Sequence, residues 1–119
     1  MVSINNQIIT MNRGDSFYIP LVINAGTKSL PDYYTITDKD TIYFAVEEPN
    51  QPFEFAIIRK TFGVEDLVDG NVLIKLDSKD TECLLPGQYY YEIKIRHIED
   101  EDKEYIDTIV PRRKFNIID

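Results

Sequence analysis

Two residues occur once each and are of types that serve as nucleophile, base or metal ligand, the cysteine Cys83 and the histidine His97. Cys83 precedes the Leu84-Leu85 pair and has no basic neighbour in sequence to favour its thiolate, so a small core or boundary residue is the better reading. Spacing leaves a Cys83–His97 nucleophile pair open, but no glycine-rich oxyanion loop accompanies it. A metal site on His97 would need carboxylates from elsewhere in the chain, and a partly covered structural histidine accounts for it more simply. The acidic run Glu99-Asp100-Glu101-Asp102 offers oxygen ligands for Ca²⁺. Calcium loops add a turn glycine and a spaced ligand pattern, and neither is in this run. No two carboxylates have a spacing that makes a hydrolase pair. The expectation is a non-enzyme with no catalytic residue, no cofactor and no metal.

Three further groups bear on binding. Arg13-Gly14-Asp15 spells an adhesion tripeptide, but Gly-Asp before a strand is also an ordinary turn. Arg112-Arg113-Lys114 is the one basic cluster, and next to Pro111 it reads as the blunted edge of a sheet. Tyr18, Tyr34, Tyr43 and Tyr90 alternate with apolar neighbours and fall on outer faces. Tyrosine there suits protein contact or sugar stacking, because it offers area at little entropic cost, or else the rings cover a second layer. These four are the candidate interaction residues. The net charge of −8 argues against nucleic acid and against anionic membrane surfaces, both of which need a positive field. No apolar run is long enough for a membrane helix, and the first residues do not read as a secretory signal. One cysteine excludes an intrachain disulfide, which suits a reducing compartment.

The elements that must carry these residues are strands. With 119 residues the chain suffices for one domain, 1–119, with one core. Pro86-Gly87 is a turn. After it Tyr89, Tyr91, Ile93 and Ile95 share one face, while Tyr90, Glu92, Lys94 and Arg96 share the other. Tyr89, two residues past the turn glycine, is placed to send its hydroxyl to backbone just upstream, as in a tyrosine corner. Residues 3–11 suggest a first strand or an extended arm. Residues 16–24 form a strand with Phe17, Ile19, Leu21 and Ile23 inward, and Pro20 restricts it to an edge or a bulge. A loop follows over 25–32, and 33–36 add a short strand.

Residues 41–47 point Ile42, Phe44 and Val46 inward. Residues 53–61 are expected as their hairpin partner, with Phe53, Phe55 and Ile57 on one face. Residues 63–69 read as a helical turn or a loop. Asp69-Gly70 is a tight turn into a strand with Val72, Ile74 and Leu76 inward. Residues 78–81 lead into the corner, 99–104 form a charged hairpin tip, 105–110 return as a strand that Pro111 interrupts, and 114–118 close the domain. No convincing amphipathic helix is present. The expectation is an all-β chain, an immunoglobulin-like antiparallel β-sandwich of seven to nine short strands.

Taken together, several segments resemble a family. They are Arg13-Gly14-Asp15-Ser16-Phe17-Tyr18-Ile19-Pro20-Leu21, Asp40-Thr41-Ile42-Tyr43-Phe44-Ala45-Val46 and Asp69-Gly70-Asn71-Val72-Leu73-Ile74. Two more are Leu85-Pro86-Gly87-Gln88-Tyr89-Tyr90-Tyr91-Glu92-Ile93 and Arg112-Arg113-Lys114-Phe115-Asn116-Ile117. The pattern resembles the small immunoglobulin-like modules of tail and baseplate proteins in phages and prophages of Gram-positive bacteria, the N-terminal domain of baseplate upper proteins among them. The resemblance implies a structural or interaction module of a virion, found in the particle or in the host cytoplasm before assembly. Its partners would be other virion or host proteins, with a homo-oligomer also open. Because the chain ends with the module, a free-standing virion or accessory protein is expected. The alternatives are a carbohydrate-binding module for the host cell wall, which needs coplanar exposed rings, and a small acidic inhibitor of a host protein.

Overall fold

The computed structural model describes residues 3–5, 8–24 and 33–119, and places two β layers face to face around one core. The strands are β1 (Ser3–Asn5), β2 (Ile8–Asn12), β3 (Phe17–Leu21), β4 (Ile23–Asn24), β5 (Tyr33–Tyr34) and β6 (Asp40–Glu47). They continue as β7 (Ile58–Phe62), β8 (Leu67–Val68), β9 (Asn71–Leu76), β10 (Gly87–Asp100) and β11 (Lys103–Ile118). One layer has six strands in the order β1-β2-β11-β10-β6-β7. The other has three, β3-β9-β8, and a two-stranded piece, β4-β5, stands beside them. The all-β sandwich expected from the alternation is what the chain forms. The expected loop over 25–32 lies outside the described residues.

Period-two patterning explains the layers. Ile42, Phe44 and Val46 of β6, Tyr91 and Ile93 of β10, and Phe115 and Ile117 of β11 are buried on the inner face of the large sheet. Phe17 and Leu21 of β3 and Val72, Ile74 and Leu76 of β9 meet them from the small sheet. Phe115 joins the layers, its ring 6.5 Å from Phe17 across the core and 6.3 Å from Tyr91 within its own sheet. The Asp69-Gly70 turn is a positive-φ pair, with φ of 52° and 84°, between β8 and β9. That is the backbone a two-residue hairpin needs. The corner is as expected too, with the Tyr89 hydroxyl donating to the Leu85 carbonyl at 2.7 Å.

Several expectations are corrected. The strands number eleven among the described residues, because the chain breaks at Val22 and adds two- and three-residue pieces. They are not uniformly short, since β10 has 14 residues and β11 has 16. One pair, β11 with β2, is parallel. Phe53 to Phe55 form a 3-10 turn rather than strand, so the hairpin partner starts only at Ile58, and Phe55 and Ile57 are exposed. A one-turn helix, α1 (Ser78–Glu82), occupies the stretch read as a lead-in. Five residues are too few to show a helical period. The helix is set by Asp77 and Asp80, the Asp77 N–H donating to the Asp80 carboxylate at 2.7 Å. Pro111 does not end its strand. The β10–β11 register slips between Tyr91 and Lys94, and the extra residues fall on β11 around Pro111. Such a bulge accommodates a residue with no N–H to give the ladder.

A candidate functional site around the ribbon

The long hairpin of β10 and β11 outruns the sheet that holds it. β6 pairs with β10 only from Tyr90 to His97, and β2 pairs with β11 only from Phe115 to Ile118. Among the described residues no strand covers the outer edge of β11 between residues 103 and 112. Beyond His97 the ribbon has two strands, tipped by the exposed Glu99 to Asp102 run. Ile98, Tyr105 and Ile106 are exposed along it, Tyr105 by 52% and Ile106 by 58%.

At the base of the ribbon, register brings His97 to the distant Asp40, and Tyr34 and Thr37 join them from just upstream of Asp40. His97 is the residue paired with Asp40, the last pair of β10 with β6. The Asp40 side chain is fully buried, and the His97 Nδ1–H donates to its Oδ1 at 2.5 Å. The other oxygen accepts from the Tyr34 hydroxyl, from the Thr37 N–H at 2.9 Å and from the Thr37 hydroxyl at 3.3 Å. Burial alone would raise the Asp40 carboxyl, but the bonds from Tyr34, the Thr37 backbone and His97 outweigh it and hold the group below its usual value. Burial and the bond to Asp40 push the Tyr34 hydroxyl up. The carboxylate thus fixes the imidazole ring with Nε2 unpartnered among the described residues. A cleft of about 340 Å³ opens here, lined by Asp40 and His97 together with Tyr34, Tyr105 and Asp107 and the apolar Ile23 and Ile95.

The outer face of the ribbon carries a second hollow, of about 380 Å³, where Ile106, Arg96 and Glu104 approach Tyr43 and Phe53. Arg96 holds Glu104 by two bonds, of 2.8 and 3.1 Å. Phe53 is covered by the Arg59 guanidinium at 4.3 Å and the Lys94 ammonium at 4.7 Å, with Tyr43 edge-on to it. Further along, Glu47 is 1% exposed, its Oε2 has no hydrogen-bond partner among the described residues, and Arg112 stands 3.4 Å from Oε1. Burial, with Glu92 close by, pushes the Glu47 carboxyl up to about 7 against the pull of Arg112 and Lys94.

The four tyrosines do not form one surface. Tyr18 projects from the edge strand β3 and is 67% exposed, and Tyr34 lines the inner cleft. Tyr43 and Tyr90 are half-buried, Tyr43 in the outer hollow and Tyr90 under the Arg112 guanidinium at 4.8 Å. Pro86, Gly87 and Tyr89 build the corner. His97 is partly covered and paired, as its position suggested. Cys83 is exposed and is not among the residues that wall the cleft. The Arg13-Gly14-Asp15 turn is tied down, because the Gly14 N–H donates to the buried Thr81 hydroxyl at 3.1 Å and that hydroxyl donates to the Asp15 carbonyl at 3.0 Å. Among the described residues no three metal-ligating side chains converge.

Sequence reasoning passed over Asp40, Tyr105, Ile106 and Asp107. The signal for the last three was the length of the hairpin, since alternating residues flanking a charged tip cannot all reach one core. Compared with known proteins, the chain matches no family model, no curated protein and no solved structure.

Proposed function

We propose that this chain is a non-enzymatic interaction module that docks a partner protein along the β10–β11 ribbon. In line with the resemblance of its turn-and-strand motifs, the partners would be subunits of a phage or prophage particle. The observation that carries the docking is the outer edge of β11, which no strand covers from residue 103 to 112 among the described residues, beside exposed Ile98, Tyr105 and Ile106. Free N–H and C=O groups on such an edge accept an added strand, and alternate side chains set the specificity. The virion assignment rests on the resemblance. A second copy of this chain is a poorer occupant, because two acidic ribbons repel.

The test compares wild type with Ile106→Lys, a change at an exposed site. Both are mixed with particles of a phage whose genome encodes the chain, and bound protein is read in density-gradient fractions. Wild type should co-sediment and Ile106→Lys should fall to background, with unchanged circular dichroism. Equal co-sedimentation would remove the ribbon as the docking surface. Absence of wild type from every particle fraction would remove the virion reading.

A further inference from the structure

The inner cleft shares residues with the proposed docking ribbon, since Tyr105 and Asp107 lie on β11 opposite His97 and Ile95 of β10. Among the described residues that line it, the full charges are carboxylates. Asp40 is matched by His97 alone, and Asp107 has no ion pair or hydrogen bond among the described residues. The neighbouring cation Arg96 lines the opposite hollow and is taken up by Glu104. From residue 99 to 107 the ribbon holds six carboxylates, at Glu99, Asp100, Glu101, Asp102, Glu104 and Asp107, against one lysine, Lys103. A carboxylate with no ion pair among the described residues, beside two part-exposed phenol rings and the apolar Ile23 and Ile95, is the chemistry that recognises a cation on an apolar stem. The rings offer their negative faces, the carboxylate is the counter-ion, and the two isoleucines take the methylenes.

We propose that the cleft receives a lysine or arginine side chain of the docking partner, with Asp107 as its counter-ion and Tyr34 and Tyr105 as its walls. This rests on the ribbon being the docking surface. The dyad of Asp40 and His97 acts as a positioning pair, fixing the imidazole in the cleft lining and keeping Asp40 from competing for the incoming cation.

The experiment is a titration of the isotope-labelled full chain with N-acetyl-arginine amide, followed by amide chemical shifts. N-acetyl-citrulline amide serves as the uncharged isostere and N-acetylglucosamine as the sugar control. Saturable shifts confined to Ile23, Tyr34, Ile95, His97, Tyr105 and Asp107 are expected with the arginine probe. They should weaken by about tenfold or more with citrulline and in Asp107→Asn, as loss of one charged contact implies. Shifts spread over the whole acidic surface, equal affinity of Asp107→Asn, no response, or a response to the sugar alone would each overturn the proposal. The particle assay with Ile106→Lys separates the two claims. If that variant still loses its particle while the arginine probe fails, the cleft assignment falls and the ribbon stands.

Discussion

Two carboxylates on β6 sit in opposite circumstances. Asp40 is buried with four hydrogen bonds, and its folded value is lowered from 3.8. Its contribution to stability is therefore in place above pH 3.8 and is lost as the pH falls through the lower folded value. Asp40→Ala should cost about 3 kcal/mol in urea unfolding, because it strands the Tyr34 hydroxyl and the Thr37 N–H. Glu47 is buried with one oxygen unmatched, and its folded value is raised from 4.5 to about 7. The folded state then binds a proton that the unfolded chain has released. The associated stability is complete below pH 4.5 and is lost as the pH rises through 7. At the usual 1.36 kcal/mol per unit, ionised Glu47 costs the fold roughly 3 kcal/mol. Thermal melts of Glu47→Gln should lose most of the decline between pH 5 and 8 and finish above wild type at pH 8. A parallel decline would remove Glu47 as its source.

Among the elements, the corner and the ribbon differ in what holds them. Gly87 has φ of 156° with open space around it, a backbone that side-chain-bearing residues rarely adopt. Gly87→Ala should cost about 1–3 kcal/mol from backbone strain alone. Tyr89→Phe should cost about 1 kcal/mol, the net worth of the bond to Leu85. Guanidinium unfolding of both variants checks the order, and a Tyr89→Phe loss larger than that of Gly87→Ala would reverse it. The ribbon tip is different, since residues 99–104 are exposed and pack on nothing in the core. Ile98 pairs with Glu104, so replacing residues 99–103 by Asn-Gly leaves a two-residue hairpin. Its melting temperature should stay within about 4 °C of wild type, the effect of less than about 1 kcal/mol, while hydrogen exchange at Phe44 and Ile93 stays slow.

For the molecule as a whole, one aromatic chain spans the two layers through Phe17, Phe115, Tyr91 and Phe44, the last two rings stacked 5.7 Å apart. Phe115 is fully buried at its centre. Phe115→Ala should cost about 3–5 kcal/mol. Against about 5–15 kcal/mol for a domain, that is enough to bring the chain near its unfolding threshold, as a shift in denaturant midpoint at unchanged slope. The charge of −8 bears on partners rather than on the fold. For the proposed docking it sets the sign of the partner surface.

Much of the architecture is legible along the chain because it is local. Alternation names the inward residues of β3, β6, β9 and β10. Asp69-Gly70 names its turn, and Pro86-Gly87-Gln88-Tyr89 announces the corner, since each depends on residues a few positions apart. The candidate site is not local. Asp40 and His97 stand 57 positions apart and meet only through the β6–β10 register. Glu47 has an outward-facing parity and is buried all the same, under Arg112 from a strand that ends the chain. Nothing in the spacing of Tyr105 and Asp107 says where β2 and β6 stop covering the ribbon. Which edge stays open, and which polar groups are taken out of water, depends on how far each strand reaches along its neighbour, and that is settled only when the layers pack.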